Sequence, residues 1–340
     1  MTRHIRRIAI CTGGGDAPGL NAVIRSVVIS AARRGWECYG IREGFNGILF
    51  HERYPEGGVF RLTPERVRGI GHLGGTILGT TNRGNPLQFP MKMPDGTTKE
   101  VDRTDEILEF FAKQELDALV SVGGDGSLTI AYALHQKGLR VVGVPKTIDN
   151  DLDKTFTTFG FDSAVDFATA CLDRLHSTAE SHQRVMVVEV MGRYAGWIAL
   201  HAGIAGGVHA ILIPEIPFDL DKVVEKIVRW DSLGRMYSIV LVAEGAEPAG
   251  GHRAILQPAE IGHAERLGGI GERIAKALQE RTDKDTRLVV LGHLLRGGRP
   301  TSFDRVAAMR FGTAAVRGLA EGRSGVMVAL AFPNVNYVAL

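Results

Sequence analysis

The chain has 340 residues, 44% of them hydrophobic and 23% charged, with 40 basic against 38 acidic side chains and a formal net charge of +2. That length exceeds what one core ordinarily supports, so two domains are expected, and the near-neutral balance argues against charge-driven binding to nucleic acid or to a membrane surface. Three widely spaced cysteines, Cys11, Cys38 and Cys171, argue against a disulfide scaffold or a zinc cluster and fit a reducing, cytoplasmic setting.

The basic start, residues 1–7, runs directly into a predicted strand at 5–11 and carries no apolar signal core. A loop at 12–18 holds Gly13, Gly14, Gly15 and Asp16. The helix after it has apolar residues at Val23, Ile24, Val27, Val28 and Ala31 and stops at Gly35; Asp16 and Pro18 are its expected start signals. Residues 89–104, with Pro90, Lys92, Pro94, Asp95 and Gly96, read as a surface excursion. A strand at 118–122, a helix from about 127 to 137 and a strand at 139–144 come next. Strands at 184–190, 210–213, 238–243 and 288–291 repeat the theme, with helices near 220–230, 268–281 and 302–320. Residues 194–214 carry no formal charge over a length that could span a bilayer. His201, His209 and the Gly206, Gly207 pair favour a helix, a turn and a buried strand instead. Residues 334–340 end strand-like without a closing helix, which fits a shortened chain or a differently closed domain.

The strands read as continuous Val, Ile and Leu runs rather than alternating ones, so they are expected to be covered on both faces. Alternating strands and helices then imply an α/β fold of doubly wound, mostly parallel sheets, whose ligands lie at the carboxyl ends of strands.

Three loops sit at such ends. Gly13-Gly-Gly-Asp16 could cradle phosphate at a helix N-terminus or be a tight turn needing positive φ; it fits neither the Gly-Lys-Ser/Thr phosphate loop nor the dinucleotide fingerprint. Gly123-Gly-Asp-Gly-Ser127 puts a carboxylate inside a phosphate-cradling turn, a conflict that Mg²⁺ between Asp125 and phosphate oxygens would resolve. The alternative is helix capping by Asp125 or Ser127. Lys146-Thr-Ile-Asp-Asn-Asp151 places Asp149 and Asp151 two residues apart; in an extended loop they would point the same way and raise one pKa. A carboxylate facing a sugar hydroxyl is a general base, while two solvated turn aspartates are the plainer reading.

With these loops in view the sequence resembles the phosphofructokinases, a family that phosphorylates fructose 6-phosphate at its 1-hydroxyl. The resemblance covers nearly the whole chain. It is carried by Gly14-Gly-Asp-Ala-Pro-Gly-Leu-Asn21, Gly123-Gly-Asp-Gly-Ser127, Thr147-Ile-Asp-Asn-Asp151, Ser181-His-Gln-Arg184, Met191-Gly-Arg193, Glu244-Gly245 and Leu291-Gly-His-Leu-Leu-Arg-Gly-Gly298. It implies two Rossmann-like domains with the active site between them, residues 1–160 with 295–324 on the donor side and 161–294 with 325–340 on the sugar side. Asp149 would be the base, Asp125 would hold Mg²⁺ with Asp151 in support, and Thr147, Arg193 and Gly14 would face the transferred phosphoryl. Gly124, Asp125, Gly126, Ser127 and Lys146 would line the donor. Arg184, Arg287, His293 and Arg296 would hold the 6-phosphate and sugar, with Met191, Gly192 and Glu244 at the ring. The equivalents of Arg184 and Arg287 reach across from a neighbouring subunit in that family, which implies a homotetramer or homodimer.

For the donor, the resemblance points two ways. Lys146 matches pyrophosphate-dependent members, whereas Gly126 leaves open the space where those members usually carry a second acidic residue. A steric block is harder to evade than an added charge, so ATP is expected and pyrophosphate is the alternative. Phe45 is a candidate adenine stacker or a loop-end hydrophobe. Arg83 stands one place away from the bacterial ATP-enzyme pattern as a phosphate contact. Of the bacterial effector pocket only Arg25 fits; His176, His209, Leu233 and Arg235 occupy its other charged positions, so weak control by ADP or phosphoenolpyruvate is expected. More distant readings are an NAD or lipid kinase and a silent regulatory subunit; the sugar-phosphate set and the intact Asp125, Asp149 and Arg193 argue against them.

Overall fold

The computed structural model describes residues 4–258 and 265–340. In chain order, the first part contains β1 (Arg7–Thr12), α1 (Leu20–Ala32), β2 (Glu37–Ile41), α2 (Asn46–Leu49), β3 (Val59–Leu62), β4 (Phe89–Lys92), β5 (Thr98–Val101), α3 (Thr104–Lys113), β6 (Ala118–Gly123), α4 (Asp125–Gln136), β7 (Val141–Thr147) and β8 (Phe159–Gly160). The middle contains α5 (Phe161–His182), β9 (Val185–Val190), α6 (Trp197–Ala205), β10 (Ala210–Leu212), α7 (Leu220–Ser232), β11 (Ser238–Ala243), β12 (Ile255–Gln257), β13 (Arg266–Leu267), α8 (Ile270–Thr282) and β14 (Thr286–Val290). The chain then returns through α9 (Ser302–Ala320), β15 (Val326–Ala331) and β16 (Asn334–Ala339).

Two sheets result. The first has the order β16-β15-β7-β6-β1-β2-β3, parallel from β15 to β2 with an antiparallel strand at each edge; the second is the parallel β10-β11-β9-β14. Every residue of β6, β7, β9 and β11 is buried, as the unbroken apolar runs require. Alternate residues feed opposite cores. Ile8 and Ile10 pack with α1 and α9, Ala9 and Cys11 with α3 and α4; in the second sheet Met186 and Val188 face α5 and α6, Val185 and Val187 face α7 and α8.

Both sheets reverse direction about a central strand. From β1 the chain lays β2 on one side and β6 on the other; from β9 it lays β11 on one side and β14 on the other. Loops at such reversals splay apart and leave a crevice at the strand C-termini, which is where ligands bind in open α/β sheets. The glycine loops at 13–16 and 123–127 flank the first crevice. Residues 191–193, Glu244 and the 3₁₀ turn Gly292–Arg296 flank the second.

The starts of α5 and α9 tie the two sheets together. Thr301 accepts from the Asp304 N–H (3.3 Å) and donates to Asp162 in the first turn of α5 (2.5 Å). Asp304 Oδ2 in turn accepts from the N–H and hydroxyl of Ser163 (2.8 and 2.6 Å). Asp304 is fully buried, and burial, with Asp162 adding repulsion, pushes its carboxyl up to about 6.

The structure corrects two sequence expectations, on the last strands and the start of α1, and bears out two others, at 194–214 and 89–104. The hairpin β15–β16 extends the first sheet, so residues 325–340 go with β7 rather than with the sugar-side strands. Helix α1 begins after Gly19 at φ 110°, not at Asp16 or Pro18. The uncharged stretch at 194–214 folds as α6 and β10, and no described helix is long and apolar enough to cross a membrane. The excursion at 89–104 is an exposed β4–β5 hairpin leading into α3.

Candidate active site

The first glycine loop is held by backbone and hydroxyl bonds. Gly13 donates to Val122 O (2.9 Å), Gly14 to Thr81 O (2.9 Å), and Thr80 Oγ1 donates to Gly14 O (2.6 Å). Gly14 needs glycine for its φ of +77°. Ser127 reaches in from α4, and a Cβ on Gly13 or Gly123 would lie 2.5 or 2.3 Å from its Oγ, so both loops must be bare to fit around it. The N-cap of α4 is Gly124, and it makes no side-chain capping bond. Capping by Asp125 or Ser127 is therefore not the local arrangement. Asp125 stands exposed in the first turn, and among the described residues its carboxylate has no hydrogen-bond partner. A Cβ on Gly126 would meet nothing within 4 Å.

Beyond β7 the chain turns sharply. Thr147 Oγ1 accepts from the Asp149 N–H (3.0 Å); Thr158 donates through its hydroxyl to Thr147 O (2.7 Å) and through its N–H to Asn150 Oδ1 (2.9 Å). Asn150 is left-handed at φ 52°, so the loop is not extended: Asp149 is buried and Asp151 exposed, rather than both facing one way. The electrostatic expectation keeps its sign. Burial first, then the Asp151 charge, raises the Asp149 carboxyl above its ordinary value, against the pull of Arg296, Lys146 and Arg193. Asp149 Oδ1 is buried with no partner, a polar atom whose desolvation is uncompensated within the chain.

Lys146 is also buried, and its ammonium donates to Gly15 O. Burial and the nearby Arg296 push it down to about 8, while Asp149, Asp16 and Asp151 oppose that shift. Arg296 comes from the turn after β14, donates from Nη1 to Asp16 O (3.2 Å), and lies so close to Gly15 that a Cβ there would sit 2.7 Å from Nη1. A cation from the second-sheet side thus closes on the first glycine loop.

After β9, Gly192 at φ 150° and Arg193 at φ 52° reverse the chain, and the Arg193 N–H donates to Glu244 Oε1 (3.1 Å). Gly245 must lack a side chain, because a Cβ would stand 1.9 Å from Arg193 O. Burial raises the Glu244 carboxyl, with Asp149 and Glu189 adding repulsion against the Arg193 and Gly192 N–H groups. Met191 is half-buried, while Arg193 and His293 are exposed. Asp149, Lys146, Arg296, Arg193 and Glu244 therefore share one electrostatic neighbourhood, two of them from the first sheet and three from the second.

Other candidates lie elsewhere. Arg184 precedes β9 and Arg287 is the second residue of β14, at the strand ends opposite the crevice. Seven strand steps separate Arg184 from Met191, roughly 23 Å. Phe45 is 7% exposed within the core of Ile41, Ile48 and Leu49, so the structure makes it a packing residue rather than a base-stacking face. Arg83 is exposed in a turn held by Thr81 Oγ1. At the positions aligned with the effector pocket, His209 packs edge-on to Trp230 (4.6 Å) and accepts at Nδ1 from the Ile239 N–H (2.9 Å). Burial, then His176, pushes it down to about 4. His176 bridges Gly206 O (2.6 Å) and the Tyr237 hydroxyl (3.2 Å). Those two histidines serve an aromatic cluster.

Sequence reading missed two supports. Glu189, buried within β9, accepts from the Gly271 N–H at the start of α8 (2.7 Å); its signal is a lone carboxylate inside the apolar run Val185–Val190. The carbonyls of Gly15 and Asp16 anchor Lys146 and Arg296, and backbone acceptors leave no mark in a sequence.

A family model described as Phosphofructokinase matches residues 7–319. An ATP-dependent 6-phosphofructokinase of Chloroflexus aggregans is 49% identical, aligned over all of this chain and 91% of its own length. A pyrophosphate–fructose 6-phosphate 1-phosphotransferase of Amycolatopsis methanolica is also 49% identical, over 98% of this chain and 93% of its own. Among solved structures, phosphofructokinase from Saccharomyces cerevisiae superposes with a TM-score of 0.81 at 31% identity; the match takes in 98% of this chain but 44% of the yeast chain.

Proposed function

This chain belongs to the phosphofructokinase family, and from that premise we propose that it is a 6-phosphofructokinase, transferring the γ-phosphoryl of ATP to the 1-hydroxyl of fructose 6-phosphate. The observation that carries the reading is Asp149, a buried carboxylate with a raised pKa, an unpartnered Oδ1 and Lys146, Arg193 and Arg296 about it. A base of that kind accepts a proton from an attacking hydroxyl more readily than an ordinary surface aspartate. Thr147 fixes the Asp149 backbone, while Arg193 and Lys146 offer positive charge for the transferring phosphoryl oxygens. Met191, Glu244, His293 and Arg296 line the second-sheet side as contacts for the sugar phosphate. Arg184 and Arg287, at the far strand ends, would serve the site of a neighbouring subunit, which makes a homodimer or homotetramer part of the proposal.

Among the described residues no cluster of three metal-ligating side chains is present. Mg²⁺ is ordinarily held by one or two carboxylates together with substrate phosphates, and the exposed, unpaired Asp125 with Asp151 fits that donor set. When bound, it supplies charge neutralisation on the phosphate chain.

For the donor, open space at Gly126 favours ATP, and the relative from Chloroflexus carries ATP in its name. Lys146 and the Amycolatopsis relative favour pyrophosphate as the second reading. Fructose 1,6-bisphosphate formation measured with ATP and with pyrophosphate in parallel decides: activity with ATP is expected, and activity with pyrophosphate alone reverses the donor.

A further inference from the structure

At the far ends of β9 and β14 the register pairs Val185 with Thr286, which sets Arg184 just before one strand and Arg287 just inside its neighbour. Between them stands Asp285, whose carbonyl accepts from the Val185 N–H (3.1 Å). Each of its carboxylate oxygens takes a different arginine. Oδ2 is 2.5 Å from Arg184 Nε, and Oδ1 is 2.7 Å from Arg287 Nη1. Left-handed Gln183 at φ 53° closes α5 and turns the chain so that Arg184 can approach.

Two guanidiniums drawn together repel, and a shared carboxylate offsets that repulsion. A guanidinium carries five N–H donors in a planar fork. Asp285 engages one donor on each arginine, and both side chains stay partly open to solvent, 28% for Arg184 and 55% for Arg287. The remaining donors are held near one another, on side chains whose rotamers are already restricted. That combination suits a phosphate group, which accepts several such bonds at once.

We propose that Asp285 is a positioning residue for substrate binding, a brace that holds Arg184 and Arg287 ready for the 6-phosphate of the sugar. The inference rests on the reading of those two arginines as sugar-phosphate contacts. Ordering two long side chains in advance lowers what binding must spend on their rotamers. The effect therefore falls on affinity for the sugar phosphate and not on the phosphoryl-transfer step.

The test is saturation with fructose 6-phosphate at a fixed, saturating phosphoryl donor, using the full-length enzyme and its Asp285→Asn, Asp285→Glu, Arg184→Ala and Arg287→Ala variants. Sedimentation of the same preparations records assembly. Asp285→Asn is expected to raise KM for the sugar about five- to tenfold, with kcat within twofold and assembly unchanged, and Asp285→Glu to recover most of the loss. If the arginine variants raise KM while Asp285→Asn leaves it unchanged or lowers it, the brace is overturned and the arginine reading stands. Should neither arginine variant move KM, both fall together. If Asp285→Asn does not assemble, Asp285→Ser is read in the same way; loss of assembly in both marks a structural fastener and overturns the proposal.

Discussion

Asp149, Lys146 and Gly126 each carry a separate expectation. As the proposed base Asp149 must be ionised, and its pKa is raised, so activity should grow as pH rises through a midpoint above the ordinary carboxylate range. Asp149→Ala should lower kcat by about 10³-fold, within the usual range for a lost acid–base group, while leaving KM for fructose 6-phosphate near the parent value; unchanged turnover would remove Asp149 as the base. Lys146 is pushed down to about 8, so its charge disappears as pH rises through that value and kcat/KM should fall there. Lys146→Met should flatten this alkaline limb, and a limb that persists assigns it to another group. Gly126 has room for a side chain in the first turn of α4, where an acidic residue suits the helix N-terminus. Gly126→Asp should therefore fold with an unchanged Tm yet lose about tenfold or more in turnover with ATP through steric exclusion of the nucleotide; retained ATP turnover would show that this space is not used by the donor.

Helices α5 and α9 start against one another, and the pH response of that junction has a defined sign. Asp304 has a folded pKa of about 6, above that of an exposed aspartate. Its contribution to stability is fully present below the unfolded pKa and is lost as pH rises through 6. Asp304→Asn can still accept the Ser163 bonds but carries no charge. Its stability relative to the parent should improve by roughly 1–3 kcal/mol between pH 4 and pH 7, one pKa unit corresponding to about 1.4 kcal/mol. Urea titrations at the two pH values measure it, and a difference that does not change with pH removes Asp304 as the titrating group. How far these elements were legible follows from their chemistry. The strand Ser238–Ala243 and the helix Ser302–Ala320 coincide with their sequence-based bounds, because one is an unbroken apolar run and the other opens on a capping threonine. The 22-residue α5 left little signal: much of its buried face is alanine, at Ala164, Ala168 and Ala179, beside Leu172. The crevice loops were readable as glycine and carboxylate motifs at strand ends. Which sheet claims the last two strands was not, since that pairing joins Val326 to Val142 across the whole middle of the chain.

At the scale of the molecule, two large sheets with central reversals bring together the crevice proposed as the catalytic site, while the register of β9 against β14 sends Arg184 and Arg287 to the opposite edge. The family resemblance implied both the substrate and the separate role of those two arginines; the strand register shows how far they stand from the remainder of their set. That separation has a genetic consequence. If each catalytic centre borrows its arginine pair from another copy, a chain bearing Asp149→Ala and a chain bearing Arg184→Ala are each defective alone yet repair one another when mixed. In a two-fold assembly with random exchange, half of the assemblies are hybrids, and each hybrid holds one undamaged centre, so about a quarter of parental activity should return on refolding the two chains together. Additive residual activities would mean that every chain completes its own site. A single polypeptide would then no longer need company to be an enzyme.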